Sequence, residues 1–78
     1  MYNVKILDVL SGWFLKDGNR FETHFVLTET TSDRGVRFEL QRCTKAFIQT
    51  AVDVIGDNVN DLCYDKYGRV MGISLSNS

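Results

Sequence analysis

Proline is absent from this chain, histidine occurs once (His24) and cysteine twice (Cys43 and Cys63). Without proline, the polar stretch Glu29–Gly35 has nothing to stiffen it, and it reads as a loop. One histidine and two separated cysteines give no metal-ligand spacing, so a zinc site is not expected. No glycine-rich phosphate loop is present, because Gly68 and Gly72 punctuate a hairpin. No apolar run is long enough to cross a membrane, and Met1-Tyr2-Asn3-Val4-Lys5 shows neither a signal-peptide core nor a lipidation motif. The chain therefore reads as cytoplasmic, and its cysteines as reduced thiols. An excess of positive charge is also missing. The formal net charge is −1, so the overall field of a generic nucleic-acid coater is absent.

What charge there is lies segregated. Arg34, Arg37, Arg42 and Lys45 share one stretch with a single acid, Glu39, whereas Asp53, Asp57, Asp61 and Asp65 share another with no cation. Solvated surface explains both stretches, and so does steering of an anionic ligand to one side. The aspartates step by four, but Gly56 falls between them and keeps them off a common helix face. Seventy-eight residues with 44% hydrophobic side chains make one small domain. Its core is marginal by itself, so barrel closure or dimerisation would help it.

Periodicity supplies the elements. Strands are expected at Tyr2–Leu10, Arg20–Thr28 and Val36–Arg42, with a closing pair at Asn58–Tyr64 and Arg69–Leu75. In the first, Tyr2, Val4, Ile6 and Leu10 share one face, while Leu7 and Val9 make the other face apolar too. Trp13, Phe14 and Leu15 continue that strand past a bulge expected at Gly12. Lys16-Asp17-Gly18-Asn19 is a turn signal. In the second strand Phe21, Thr23, Phe25 and Leu27 oppose Glu22, His24, Val26 and Thr28. The third alternates most strictly, which predicts Val36, Phe38 and Leu40 inward and Arg37, Glu39 and Gln41 outward. A helix is expected over Thr44–Ile55, capped by the Thr44 hydroxyl, packed through Phe47, Ala51, Val54 and Ile55, and ended by Gly56. Asn60-Asp61 is poor strand material and marks an irregularity. Asp65-Lys66-Tyr67-Gly68 turns the last hairpin, and Ser76-Asn77-Ser78 reads as a frayed tail. Three strands in a meander, a helix, then a hairpin is the layout of a five-stranded antiparallel OB-like barrel, all-β with one helix between strands 3 and 4.

No catalytic constellation is visible, no cofactor is implied, and His24 reads as a sheet-face residue. What remains is aromatic and basic residues in and beside turns, the two ingredients of single-strand binders. Trp13, Lys16 and Arg20 surround the first hairpin, Tyr64, Lys66, Tyr67 and Arg69 the last, and Arg37 points out of the third strand. Trp13 and Phe14 serve equally well as core. Tyr64 serves as a brace for its strand, and Lys16 and Lys66 as solubilising turn residues.

Lys16-Asp17-Gly18-Asn19-Arg20-Phe21 resembles the "polar-x-Gly-Lys-aromatic" hairpin of small phage and plasmid single-stranded-DNA-binding proteins. Ile55-Gly56-Asp57-Asn58-Val59, running into Tyr64-Asp65-Lys66-Tyr67-Gly68-Arg69-Val70, is similar to their closing hairpin. The resemblance implies an OB-like barrel, a homodimer, and cooperative coating of single strands without base preference. The chain differs from that family in its net negative charge and in its helix. A different class of role is a protein-interaction module or inhibitor that docks on a host protein through the acidic Asp53–Asp65 side.

Overall fold

The computed structural model describes residues 3–74; Tyr2, Leu75 and the Ser76–Ser78 tail lie outside the described residues. Six strands and one helix follow in the order β1 (Asn3–Lys16), β2 (Asn19–Ser32), β3 (Gly35–Cys43), α1 (Lys45–Ala51), β4 (Asn58–Val59), β5 (Asp61–Tyr64) and β6 (Val70–Ser74). They form one sheet in the order β4-β1-β2-β3-β6-β5, antiparallel throughout except where β6 meets β3 at Cys43 and Val70. The two outermost strands, β4 and β5, are separated in sequence by Asn60 alone, whose N–H donates to the Ser74 carbonyl at 2.8 Å. One short segment therefore runs from one edge of the sheet to the other, and the sheet curls into a nearly closed barrel. The irregularity expected at Asn60-Asp61 is this crossing point.

β1 and β2 are longer than their sequence pattern suggests, 14 residues each, and form a continuous ribbon through Gly12. The two-residue turn Asp17-Gly18 closes it with positive φ at both positions (53° and 77°), which a primed hairpin turn requires. The bulge falls at Leu7, between Ile6 and Asp8, and not at Gly12. It frees the Ile6 carbonyl to accept from Gly56 N–H at 2.7 Å. It also shifts the side-chain parity by one, so that Val9 and not Leu10 continues the inward row of Val4 and Ile6. The stretch Glu29–Ser32, expected in a loop, extends β2, because Thr28 and Thr30 are buried. The Thr28 hydroxyl donates to the Glu39 carbonyl (3.4 Å) and accepts from Gln41 Nε2 (3.2 Å), so its burial leaves no polar atom unmatched.

That inward row decides the orientation of β3, and it reverses the expected one. Val26 pairs with Gln41, Thr28 with Glu39 and Thr30 with Arg37. Val36, Phe38 and Leu40 therefore stand on the opposite face, 55%, 62% and 56% exposed. Arg37 is exposed as expected, but on the inward-facing side of the sheet, where it pairs with Glu39 at 3.2 Å.

The core comprises Val4, Ile6, Val26, Cys43, Phe47, Ala51, Val59, Leu62 and Val70. α1 plugs it through Phe47 and Ala51, with Ile48 and Val54 partly buried against it. Thr44 caps the helix as expected, its Oγ1 accepting from Phe47 N–H at 3.1 Å. The helix stops at Ala51, four residues early. Val52, Val54 and Ile55 are poor helix formers, and Gly56 (φ 89°) serves the contact with Ile6 instead of ending the helix. Ile55 is consequently exposed and not packed on the sheet. Cys43 is buried, which pushes its thiol pKa up, while Cys63 is exposed, and both are free thiols.

Candidate nucleic-acid interface

The expected site residues fall into two groups and one outlier. The first group is on the β1–β2 ribbon. Trp13 faces the same side as Val9 but lies beyond the end of the core, so its ring is 55% exposed. Arg20 reaches back across the ribbon and sets its guanidinium 4.6 Å from the Trp13 ring centroid. The two line an open cleft of about 250 Å³ with Ser11, Gly12, Glu22 and His24. Glu22 is the cross-strand partner of Trp13, and Ser11 Oγ bonds to His24 Nδ1 at 2.9 Å. The cleft thus offers a flat ring and a cation, with a carboxylate and an imidazole beside them. Lys16 is exposed at the end of the same ribbon, opposite Asn19.

The second group is the β5–β6 turn. Tyr67 is 62% exposed, with Lys66 Nζ 5.2 Å and the Arg69 guanidinium 5.4 Å from its ring centroid. Asp65 organises the turn. Its Oδ1 accepts from Tyr67 N–H and Arg69 N–H, both at 2.9 Å, and its Oδ2 pairs with Arg69 Nε at 2.8 Å. Gly68 takes the positive φ (80°) that closes the turn. Arg42, which the sequence reading left out of the site, donates from Nη2 to the Tyr67 carbonyl at 3.0 Å and ties the turn to β3. Tyr64 is half exposed, and its hydroxyl donates to Gln41 Oε1, which makes it a brace between β5 and β3. Arg69 is likewise committed to Asp65, so Lys66 is the more available of the two cations.

Arg37 is the outlier. It lines a larger open cleft of about 440 Å³ at the β2–β3 turn with Thr30, Ser32, Arg34, Gly35 and Val36. That turn closes the opposite end of β2 from the Asp17-Gly18 turn, and no aromatic ring lines the cleft, so size alone does not make it the stacking site.

Partial desolvation pushes the Asp65 carboxyl up, but the hydrogen bonds from Arg69 and Tyr67 and the Arg69 charge outweigh it and hold the pKa below its ordinary 3.8. A carboxyl lowered by folding stabilises the folded state above its unfolded pKa, and that stability is lost as pH falls through the lower folded value. Asp65→Asn should therefore have a melting temperature that falls less than wild type's as pH drops from 5 to 2, on the order of that titration range. Parallel curves for the two proteins would show that ionisation of Asp65 contributes nothing to stability.

No family model matches the chain, and no curated protein or solved structure does either. The site must be read from its own geometry. Sequence reasoning missed the outer face of the ribbon, where Phe14 and Phe21 stack across the strands with centroids 5.5 Å apart. Strict alternation in β3 carried that signal, but it was attached to the wrong side of the sheet. Among the described residues no helix is long and apolar enough to cross a membrane, and no three His, Cys, Asp or Glu side chains converge as a metal site.

Proposed function

We propose that the protein is a non-catalytic binder of single-stranded nucleic acid, DNA before RNA, built on an OB-like barrel. If β4 and β5 count as one strand interrupted at Asn60, the strand order becomes that of a five-stranded barrel with its helix between strands 3 and 4, and with the third and last strands parallel. The observation that carries the reading is the Trp13 platform. A tryptophan ring more than half exposed on a sheet, with an arginine at stacking distance, is costly to leave in water and suited to receive a base. The Tyr67 turn offers a second ring with Lys66 beside it. Bases stack on the rings, while Arg20, Lys16 and Lys66 neutralise phosphates. Local placement replaces the missing net positive charge.

A salt titration of oligo-dT binding tests this. Affinity should fall linearly in log–log form, by about 0.7 in slope for each phosphate neutralised. Binding that ignores salt would overturn the electrostatic half of the reading.

A second reading, a protein-interaction module, has its own support. The acidic side expected to dock is exposed at Asp53, Asp57 and Asp61, although Asp65 is spent on its own turn. The outer apolar face of the sheet favours such a role more strongly than those acids do.

A further inference from the structure

The polar groups around Trp13 form a specific pattern. Glu22 and His24 stand two residues apart on β2, on the side of the ribbon that carries Trp13, and both line its cleft with Ser11. The Glu22 side chain makes no hydrogen bond or ion pair among the described residues, although Arg20 lines the same cleft. Arg20 lies over the Trp13 ring instead. An ionised carboxylate only accepts hydrogen bonds, and its two oxygens can take two parallel donors. The Ser11–His24 pair supplies the opposite capacity. If the serine O–H donates to Nδ1, the neutral imidazole keeps its Nε2–H; if Nδ1–H donates to the serine, the hydroxyl proton is left over. Either tautomer leaves one donor on the wall of the cleft.

We infer that this cleft is a guanine pocket, an inference that rests on the single-strand reading for where the base comes from. The Watson–Crick edge of guanine presents two neighbouring donors, N1–H and N2–H, followed by the acceptor O6. The donors match the Glu22 carboxylate, and O6 matches the donor that Ser11 and His24 leave over. Adenine and cytosine set a ring-nitrogen acceptor beside their amino group, and that lone pair meets the carboxylate. Thymine has a single N–H between two carbonyls, and one of these faces the carboxylate. Stacking on Trp13 tolerates any base, so the choice falls to the edge. The cleft, at about 250 Å³, is below the roughly 300–1,000 Å³ of pockets for whole small molecules, which suits one base. Arg20 has to lift from the ring for a base to enter. Among the described residues no ion pair holds it, and its guanidinium can then cover the other face of the base. A carboxylate beside a stacking ring repels phosphate and weakens indiscriminate coating. It serves a strand binder by rejecting the wrong bases.

Trp13 is the chain's one tryptophan, so its fluorescence reads the cleft directly. The intact protein is titrated with short oligo-dT and with the same oligomer carrying one central dG, dA or dC. The dG strand should bind roughly 5- to 150-fold more tightly than the dA strand, the discrimination of one good bidentate contact. The dA strand controls for the larger stacking surface of a purine. Glu22→Gln keeps the shape of the side chain, replaces one acceptor by a donor, and should bring dG down to the level of dA. Titration with dGMP and dAMP separates a base held in a strand from a free nucleotide. Equal affinity for the dG and dA strands overturns the inference while strand binding itself stands, and so does a dG preference that survives in Glu22→Gln. Binding of no strand, with dGMP still preferred to dAMP, keeps the pocket and sinks the single-strand reading. Binding of neither strands nor nucleotides sinks both.

Discussion

Phe47→Ala should destabilise the protein by about 3–5 kcal/mol, the cost of removing a buried phenylalanine ring and leaving its cavity. Phe47 is 1% exposed and is the largest fully buried side chain among the described residues. It enters from the first turn of a seven-residue helix that has little stability of its own and is held by what it packs against. The ring contributes to a core that joins Val4 and Ile6 of β1, Val26 of β2, Val70 of β6 and the β4–β5 segment. The core that it joins is mostly β-branched or small, and such side chains repack poorly into a hole. A domain of this size has a total stability on the order of 4–12 kcal/mol, so the variant should be largely unfolded or lose most of its urea midpoint. Chemical denaturation at fixed protein concentration checks it, the concentration being held because a dimer would add stability by mass action. A loss under about 1 kcal/mol would mean that the helix does not plug the barrel.

The elements were legible because each carried a local chemical signal. Thr44 was readable as a cap, Asp17-Gly18 as a hairpin turn, Asn60 as a break and Gly68 as the positive-φ position of the last turn. Such signals depend on a few adjacent residues, and tertiary context seldom overrides them. The facing of the sheet was not legible. β1 is apolar on both sides, and β2 carries Phe21, Phe25 and Leu27 on the side that lies outside and only Val26 among polar residues on the side that lies in, so alternation pointed to the wrong side, and a strand reversed by one residue exchanges all its side chains. Two further details tipped the balance the other way from expectation. The Leu7 bulge moved Val9 into the inward row, and Thr28, which read as opposite the apolar side of its strand, and Thr30, which read as loop, are both buried, the Thr28 hydroxyl with a donor and an acceptor. The third strand inherits its orientation from the second through the register, which is why Val36, Phe38 and Leu40 ended up outside. Helix length failed for a similar reason: Gly56 is a plausible terminator by itself, yet its N–H is claimed by a carbonyl that only the bulge makes available. Of the site, the aromatic–cation pairing around each hairpin was readable from proximity in sequence. The role of Arg42 and the partner that Tyr64 braces against depend on contacts between distant strands and were not, and the part that Asp65 plays within its own turn was not read either.

Trp13→Ala should weaken binding to oligo-dT at low salt by about 1–3 kcal/mol, the stacking energy of one base on an aromatic ring. That is roughly a 5- to 150-fold loss of affinity. Trp13 has no part in the core, so the fold should survive the change, and circular dichroism will show whether it does. The slope of log affinity against log salt should hardly move, because a ring neutralises no phosphate. Tyr67→Ala should behave in the same way if the strand also crosses the β5–β6 turn. Lys66→Ala should do the opposite: a modest loss at low salt with the slope flattened by about 0.7. Arg20→Ala should show both effects, since its guanidinium is at once a phosphate partner and the lid on the Trp13 ring. Arg69→Ala is the poor experiment of the set, because removing its charge also releases Asp65 and loosens the turn that presents Tyr67. At about 10 mM salt the screening length is near 30 Å, so a real electrostatic contact cannot be hidden. If the intact protein binds no single strand under that condition, or if Trp13→Ala binds as well as wild type, the ring is not a base platform. The exposed tryptophan, on the opposite side of the ribbon from Phe14 and Phe21, would then be a contact for a protein partner instead of a base.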